Sequence, residues 1–150
     1  MRRPFLRLAG ALLLGAAGAA GPAHAAGVAP AADDSLYRAL GGQAGIAALM
    51  SDFAQRLKQD PVIGHFFDHT VARGLADSLA EQVGALSGGP VVYRGARMDK
   101  AHADLGIGRA DFNRLVEVLQ DTMDARGLPF HTQNELLALL APMYRQIVTR

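Results

Sequence analysis

The sequence contains no cysteine among its 150 residues. The protein therefore has no disulfide, no iron–sulfur cluster and no thiolate zinc site, and any haem it binds is not attached through a C-x-x-C-H motif. Neither of its glycine pairs is followed by Lys-Ser or Lys-Thr, so neither is a phosphate loop. The sequence also shows no nucleophile triad, EF-hand or paired carboxylate site. Several common enzyme and metal-binding classes are excluded in this way.

Long apolar runs are scarce, and the one near the N-terminus is short. Three arginines begin the chain, thirteen apolar or small residues follow from Leu8 to Ala20, and Ala23-His24-Ala25 matches an A-x-A cleavage site. The run is shorter than the roughly 20 residues that span a bilayer. We expect a signal peptide over residues 1–25 and an exported, periplasmic protein with no stable membrane anchor; an uncleaved anchor is the alternative. A flexible linker (26–34) then precedes one folded domain (35–150).

An excess of positive charge is also missing from the expected mature chain. Without Arg2, Arg3 and Arg7, 12 basic side chains remain against 14 acidic ones, a formal net charge of −2. A nucleic acid or an anionic membrane attracts proteins with clustered positive charge. We therefore expect neither as a partner.

Alternating β-strand patterns are absent after the linker, and apolar residues recur at helical spacing instead. The sequence predicts an all-α domain with one short and four long helices. Their predicted bounds are Ser35–Leu40, Gln43–Gln59, Ala72–Leu86, Asp111–Arg126 and Thr132–Val148, the last with a capping box at Thr132. The apolar face of the third is predicted to contain Leu75, Leu79, Gln82, Val83 and Leu86.

About twenty residues between the third and fourth long helices, Gly88 to Gly108, have little helical pattern. A long irregular segment inside a compact domain needs a physical reason. We expect a ligand that fills space and orders it. The segment contains "MDKAHADLGI" with one histidine, His102, among small and apolar neighbours.

A lone histidine is more often a surface or hydrogen-bonded residue than a ligand. Here the neighbours of His102 and the aromatic pair Phe66-Phe67 match the needs of a b-type haem, which are one imidazole for the iron and apolar walls for the macrocycle. The nitrogen that bonds the iron must be unprotonated, and the other N–H needs an acceptor. The backbone carbonyl of Met98, one turn earlier, is the candidate acceptor.

Seven short segments, taken together, resemble the group I truncated haemoglobins, small globins whose helices pack two over two around haem. The segments are "LYRALGG", "DF", "DPVIGHFF", "GGP", "YRGARM", "AHADLGI" and "LLALLAPM", and their order is more specific than any one of them. The resemblance runs from about Leu36 to Val148. It implies a truncated globin fold, a two-over-two helical sandwich, with haem b as cofactor.

The resemblance also implies roles for individual residues. His102 corresponds to the proximal iron ligand, and Phe67 to the phenylalanine that stacks on the haem face. Phe66 and Met98 correspond to haem-wall positions, and Tyr93 to a tyrosine near a propionate. The other residues predicted to contact the cofactor are Leu75, Leu79, Gln82 and Ile107.

The distal side departs from the family pattern. Well-known members have a tyrosine where this chain has Ala54, and many have a glutamine at the position of Leu79. Iron-bound dioxygen carries partial negative charge, and a distal donor stabilises it by about 1–3 kcal/mol. Without these donors we expect faster dioxygen loss and autoxidation, and a smaller effect on carbon monoxide. Gln82 is a candidate replacement donor, although we favour a bond from it to backbone or solvent.

Four polar side chains are weaker candidates. His65 or His69 could become a sixth iron ligand after local rearrangement, but both lie in a polar loop, and we expect them to be exposed. Arg97 and Lys100 could pair with haem propionates, although surface cations usually have no such role.

Three functions remain open from the sequence. The resemblance implies binding of a diatomic ligand (dioxygen, nitric oxide or carbon monoxide), with dioxygen carriage as the generic activity. An enzyme that detoxifies nitric oxide or peroxide is the first alternative; it needs a separate electron-donor protein, because the chain has no flavin or nicotinamide motif. A haem-free all-α interaction module is the second, and such a module has no need for both His102 and Phe67.

Overall fold

The structure is a computed structural model that describes residues 33–150. The predicted signal peptide and most of the predicted linker lie outside the described residues. The α-helices are α1 (Ser35–Ala39), α2 (Gly42–Gln59), α3 (Ala72–Leu86), α4 (Met98–Ala101), α5 (Arg109–Ala125), α6 (Phe130–Leu140) and α7 (Tyr144–Ile147). Two short 3₁₀ helices lie at Gly64–Phe67 and Ala141–Met143. Across residues 33–150, no helix has both the length and the apolar character needed to cross a membrane.

Helix α2 forms the centre of the core. The apolar side chains that recur at helical spacing along it are all buried, namely Ile46, Leu49, Met50, Phe53 and Leu57. Both α3 and α5 pack against α2, and α6 contacts α5 and α1. The core is completed by Val83 of α3, by Val118, Leu119 and Met123 of α5, and by Leu136 of α6. The pair α2–α3 therefore packs on the pair α5–α6, which is the arrangement that the sequence predicts.

Helix α3 has the predicted bounds but a different buried face. Its fully buried residues are Ala76, Gln82, Val83 and Gly84, because this side of the helix packs on α2. Leu75 and Leu79 are only half-buried, at the edge of the core. The prediction that Leu86 faces inward is wrong, since its exposed fraction is 38%.

The turn after α3 depends on two glycines. Gly88 has a left-handed backbone (φ +88°), and a Cβ atom there would overlap the carbonyl of Asp33. A Cβ atom at Gly89 would overlap the ring of Tyr37 on α1. The predicted end of the third helix at Leu86 is confirmed, and the turn also brings α1 against the end of α3.

The last predicted helix is divided in the structure. Helix α6 begins at Phe130 after Pro129, and Thr132 is buried inside its first turn, so the predicted capping box at Thr132 is wrong. The helix ends at Leu140 because Pro142 has no N–H to donate to the preceding turn. A 3₁₀ turn and the four-residue α7 follow. The break allows α7 to pack against α4.

Asp60 joins the end of α2 to α5. Its carboxylate is buried and accepts hydrogen bonds from the backbone N–H groups of Val62 (2.9 Å) and Ile63 (3.1 Å). The Arg114 guanidinium donates to its other oxygen at 3.0 and 2.8 Å. Burial alone raises the pKa of Asp60, but these hydrogen bonds outweigh it, so its pKa lies below the ordinary value.

We expect Asp60→Asn to lower the free energy of unfolding by about 2–4 kcal/mol at pH 7, because an amide N–H₂ would face the Arg114 guanidinium. In the wild type, the depressed pKa means that the unfolded chain takes up a proton first. The stabilisation by the ionised Asp60 carboxylate is present above the unfolded pKa of about 3.9 and is lost as the pH falls through the lower native pKa. Urea unfolding at a series of pH values measures both effects. Asp121→Asn, at an exposed position on α5, is the control, and equal stability of the two variants would contradict the prediction.

Candidate functional site

His102 lies at the C-terminal end of α4 and is half-buried. Its ring Nδ1 is 2.8 Å from the carbonyl oxygen of Met98, so the hydrogen bond suggested by the sequence is present. A carbonyl can only accept, and Nδ1 must therefore carry the proton. In the neutral imidazole, Nε2 is then the nitrogen with the free lone pair, and it makes no hydrogen bond to any residue in 33–150. This arrangement presents a lone pair with the geometry of a metal-ligating histidine.

The C-terminus holds the loop that follows His102. Backbone N–H groups of Thr149 and Arg150 donate to the carbonyl of Ile107 at 2.9 and 3.4 Å. Ile107 is buried, as expected of a residue predicted to contact the cofactor. On the same side of the domain, the rings of Phe112 and Tyr144 meet edge to face at 5.1 Å. The C-terminal segment therefore holds the loop that follows His102, and its helix α7 also packs against α4.

Gln82 has partners that the sequence did not suggest. Its side chain is buried, and Nε2 donates to the thioether sulfurs of Met98 (3.4 Å) and Met143 (3.6 Å). The bond to backbone or solvent that the sequence favours is thus not the one found. Thioethers are weak acceptors, so the contacts contribute less than an ordinary hydrogen bond. They nevertheless bring α3, α4 and the 3₁₀ turn after α6 together beside His102.

Four apolar side chains that we predict to be part of a wall for the cofactor are only partly covered at the edge of the core. Phe66 and Phe67 on the first 3₁₀ helix, and Leu75 and Leu79 on α3, all pack on the core while retaining exposed area. Ala54, at the position where the family often has tyrosine, is fully buried. A large apolar group would gain free energy by covering this wall, at about 25 cal/mol per Å².

The remaining predicted residues lie nearer the surface. Tyr93 donates its hydroxyl to the carbonyl of Ala96 at 2.9 Å and thereby closes the turn before α4. Burial raises the pKa of Tyr93, and the Glu81 carboxylate adds to the shift. Arg97 pairs with Asp99 at 3.2 Å. The predicted haem contacts of these side chains remain predictions.

Both loop histidines are exposed, as expected. The ring of His65 stacks on that of Phe66, with centroids 4.1 Å apart and planes tilted by 36°. His69 lies at the surface two residues after Phe67.

Two shallow grooves between α2 and α3 have volumes of about 450 and 350 Å³, and none of the predicted site residues lines either groove.

Lys58 is a positioning residue that the sequence did not reveal. Its ammonium donates to the backbone carbonyls of Phe67 (2.7 Å) and Thr70 (2.5 Å). These charge-assisted bonds tie the segment with the aromatic pair to the last turn of α2. A lysine near a helix end is ordinarily solvated, so no sequence pattern marked this one.

We expect Lys58→Met to release this segment. Methionine keeps a long apolar stem but cannot donate to the two carbonyls. Loss of one such hydrogen bond, at about 1.4 kcal/mol, corresponds to about tenfold faster hydrogen exchange of the segment. Hydrogen–deuterium exchange of residues 66–71 measures the change. Arg56→Met, at an exposed position on the same helix, is the matched control. Equal exchange in the two variants would show that the ammonium does not hold the segment.

Comparisons with known proteins agree with this fold. The bacterial-like globin family matches residues 35–149. A group 1 truncated haemoglobin of Mycolicibacterium paratuberculosis is 31% identical over 115 residues, which cover 77% of this chain and 85% of the relative. Another, from Synechocystis, is 32% identical over 120 residues, covering 76% of this chain and 96% of the relative.

Solved structures extend the likeness to three dimensions. The crystal structure of the ferric truncated haemoglobin from Tetrahymena pyriformis has a TM-score of 0.73 at 23% identity, covering 77% of this chain and 98% of that one. At this identity the likeness shows the fold alone, and it confirms the predicted all-α, two-over-two architecture. The family match and the two sequence relatives cover nearly the whole described domain. The chain therefore belongs to the truncated globin family.

Proposed function

We propose that the protein binds b-type haem through Nε2 of His102 and coordinates a diatomic gas on the opposite face of the iron. Truncated globins are haem-based gas-binding proteins, and family membership makes this chain one of them. One structural neighbour, a 2/2 haemoglobin from Synechococcus, has covalently attached haem. The observation that carries the assignment of His102 is the 2.8 Å contact between Nδ1 and the Met98 carbonyl, which fixes the tautomer that a metal requires.

The other residues of the site have the chemistry that haem requires. Phe66, Phe67, Leu75 and Leu79 supply apolar surface that is half-covered in the protein alone. Met98, one turn before His102, adds a polarisable thioether that accepts from Gln82. When bound, haem supplies an iron with an open coordination position. His102 would hold this iron, and the apolar side chains would cover the macrocycle and keep water from it.

The distal side favours weakly polarised ligands. Ala54 offers only a methyl group, and Leu79 has no donor. The Gln82 amide donates to two thioethers, so its N–H groups are already engaged within the protein. We infer that dioxygen is bound less tightly here than by a globin with distal donors, while carbon monoxide and nitric oxide are affected less. An enzymatic role in detoxification would require a separate electron donor.

We also propose that the protein is exported to the periplasm. The basic start, short apolar run and A-x-A site support this location. Fractionation of cells that express the full chain, with mass spectrometry of the product, tests it. We expect a periplasmic protein that begins near residue 26, and a full-length protein in the membrane fraction would support the uncleaved anchor instead.

The haem proposal is tested by titrating the purified mature chain with haemin and recording visible spectra in the ferric and ferrous forms. We expect one haem per chain, and shifts of the ferrous spectrum with carbon monoxide, nitric oxide and dioxygen. A protein that remains colourless with haemin present would refute the proposal and favour the haem-free interaction module. Turnover of nitric oxide or peroxide with a reductase present would identify an enzyme.

A further inference from the structure

Charge is distributed unevenly over the described residues. Two segments, 88–109 around His102 and 144–150 at the C-terminus, contain six basic side chains against two acidic ones, a net charge of +4. The rest of residues 33–150 contains six basic and twelve acidic side chains, a net charge of −6. We call the cationic set the proximal patch. It consists of Arg94, Arg97, Lys100, Arg109, Arg145 and Arg150.

The fold brings these two segments together. Helix α7, which contains Arg145, packs against α4, which contains Lys100. The backbone N–H of Arg150 donates to the Ile107 carbonyl, and the Arg150 side chain lies beside Gly108, next to Arg109. His102 is in the same loop. The cations of the proximal patch therefore lie on the segment that contains His102 and on the C-terminal segment that packs against it.

Much of this charge has no counterion within the described chain. Arg97 pairs with Asp99, and Arg150 pairs with Asp111. The other four cations are exposed and form no ion pair with residues 33–150; they are Arg94, Lys100, Arg109 and Arg145. Even if Asp111 and Glu81, which adjoin the patch, are counted with it, the patch has a net charge of +2 and the remainder −4.

Exposed apolar groups lie in the same segment as these charges. The exposed fraction is 72% for Val92 and 41% for Leu105. Small interfaces between redox proteins are transient, and interfaces in general combine an apolar centre with a polar rim. A membrane surface fits less well, because amphipathic membrane helices need a long apolar face, whereas α4 and α7 have four residues each.

We propose that the proximal patch docks a small acidic one-electron redox protein that reduces the iron held at His102. This inference rests on the proposed haem function. A gas-binding iron must be ferrous, and the apolar distal side is expected to favour autoxidation. One electron leaves the partner's reduced centre, which is oxidised, and converts ferric iron to ferrous iron without forming a bond. Opposite charges on the two surfaces raise the association rate at low salt.

The test uses the ferric haem protein and, as probe, a reduced plant-type ferredoxin, an acidic [2Fe–2S] protein with a potential of about −400 mV. Stopped-flow absorbance gives the second-order rate of reduction from about 0.01 to about 1 M salt, over which the Debye length falls from about 30 to about 3 Å. We expect the rate to fall at least about tenfold over this range. A rate that is independent of salt, or one that rises with salt, would overturn the proposal.

Two double variants separate the location of the charge from its amount. Arg109→Glu with Arg145→Glu changes the proximal patch, and we expect it to slow reduction at low salt about tenfold. Arg56→Glu with Arg73→Glu makes the same change in net charge on exposed parts of α2 and α3, and we expect less than a twofold effect. Equal slowing in both would show that only net charge matters. Reduction by dithionite and the haem content should stay the same in both variants.

Calorimetric titration with oxidised ferredoxin tests docking without electron transfer. We expect the patch variant alone to bind at least about tenfold more weakly than the wild type. Stronger patch-dependent binding to phosphatidylglycerol vesicles than to ferredoxin would identify a membrane partner and overturn the proposal. If the chain takes up no haem, the haem function fails, and the same titration on the haem-free chain still decides whether the patch docks an acidic protein.

Discussion

Replacing His102 with glycine should abolish stable haem binding, and added imidazole should restore it. The variant removes the only side chain that we assign to the iron and leaves a ring-sized gap below the Met98 carbonyl, which accepts from Nδ1 in the wild type. Free imidazole can enter this gap, donate to the same carbonyl and present its other nitrogen. Loss of a group that hydrogen-bonds a metal ligand costs about 10–100-fold in metal affinity. Loss of the ligand itself should therefore lower haem affinity at least about 100-fold. Haemin titration followed at the Soret band, with and without imidazole, measures both effects.

His131→Gly is the matched control for this experiment. The same substitution is made at an exposed histidine on α6, and it should leave haem affinity unchanged. Full haem occupancy in His102→Gly would show that another residue binds the iron. Haem loss that imidazole does not reverse, with a lower stability of the haem-free chain, would assign His102 to packing instead.

Local signals in the sequence predicted the bounds of the long helices α2 and α3 closely. The apolar spacing of α2 and the breakers Pro61 and "SGGP" gave correct helix ends, because each acts on the backbone within one turn. The start of α5 was predicted two residues late. Asp111 accepts from the backbone N–H of Gly108 at 2.9 Å, so it occupies the first turn of the helix rather than its start.

The errors and omissions come from contacts between distant residues. Thr132 matches a capping pattern but is buried against the core, and the outward position of Leu86 depends on how α3 packs on α2. Asp60 and Arg114 are 54 residues apart in the chain, and Gln82 and Met143 are 61 apart. No local pattern contains such pairs. Identification of the site from sequence therefore depended on the family resemblance and on one hydrogen bond, from His102 to Met98, that spans a single turn.

Leu79→Gln should slow dioxygen dissociation from the ferrous protein about 10–100-fold. Glutamine has nearly the volume of leucine, and Leu79 is half-buried at the edge of the core, so the helix should accept the change. Its amide would supply a donor to the partial negative charge on bound dioxygen, and a charge-assisted hydrogen bond contributes about 1.5–3 kcal/mol, against 1.4 kcal/mol for each tenfold change. Dissociation rates by stopped-flow mixing, and autoxidation followed in air, measure the effect. Autoxidation should slow in parallel.

Carbon monoxide separates a new hydrogen bond from a steric change in the same variant. It is less polarised than dioxygen on iron, so its dissociation from Leu79→Gln should change less than about threefold. Leu86→Gln, at the exposed end of α3, makes the same substitution away from the site and should alter neither gas. Equal slowing of both gases would indicate a tighter pocket without a new donor. No change for dioxygen would place residue 79 out of reach of the ligand, and the apolar character of the distal side would then have to come from other residues of α3.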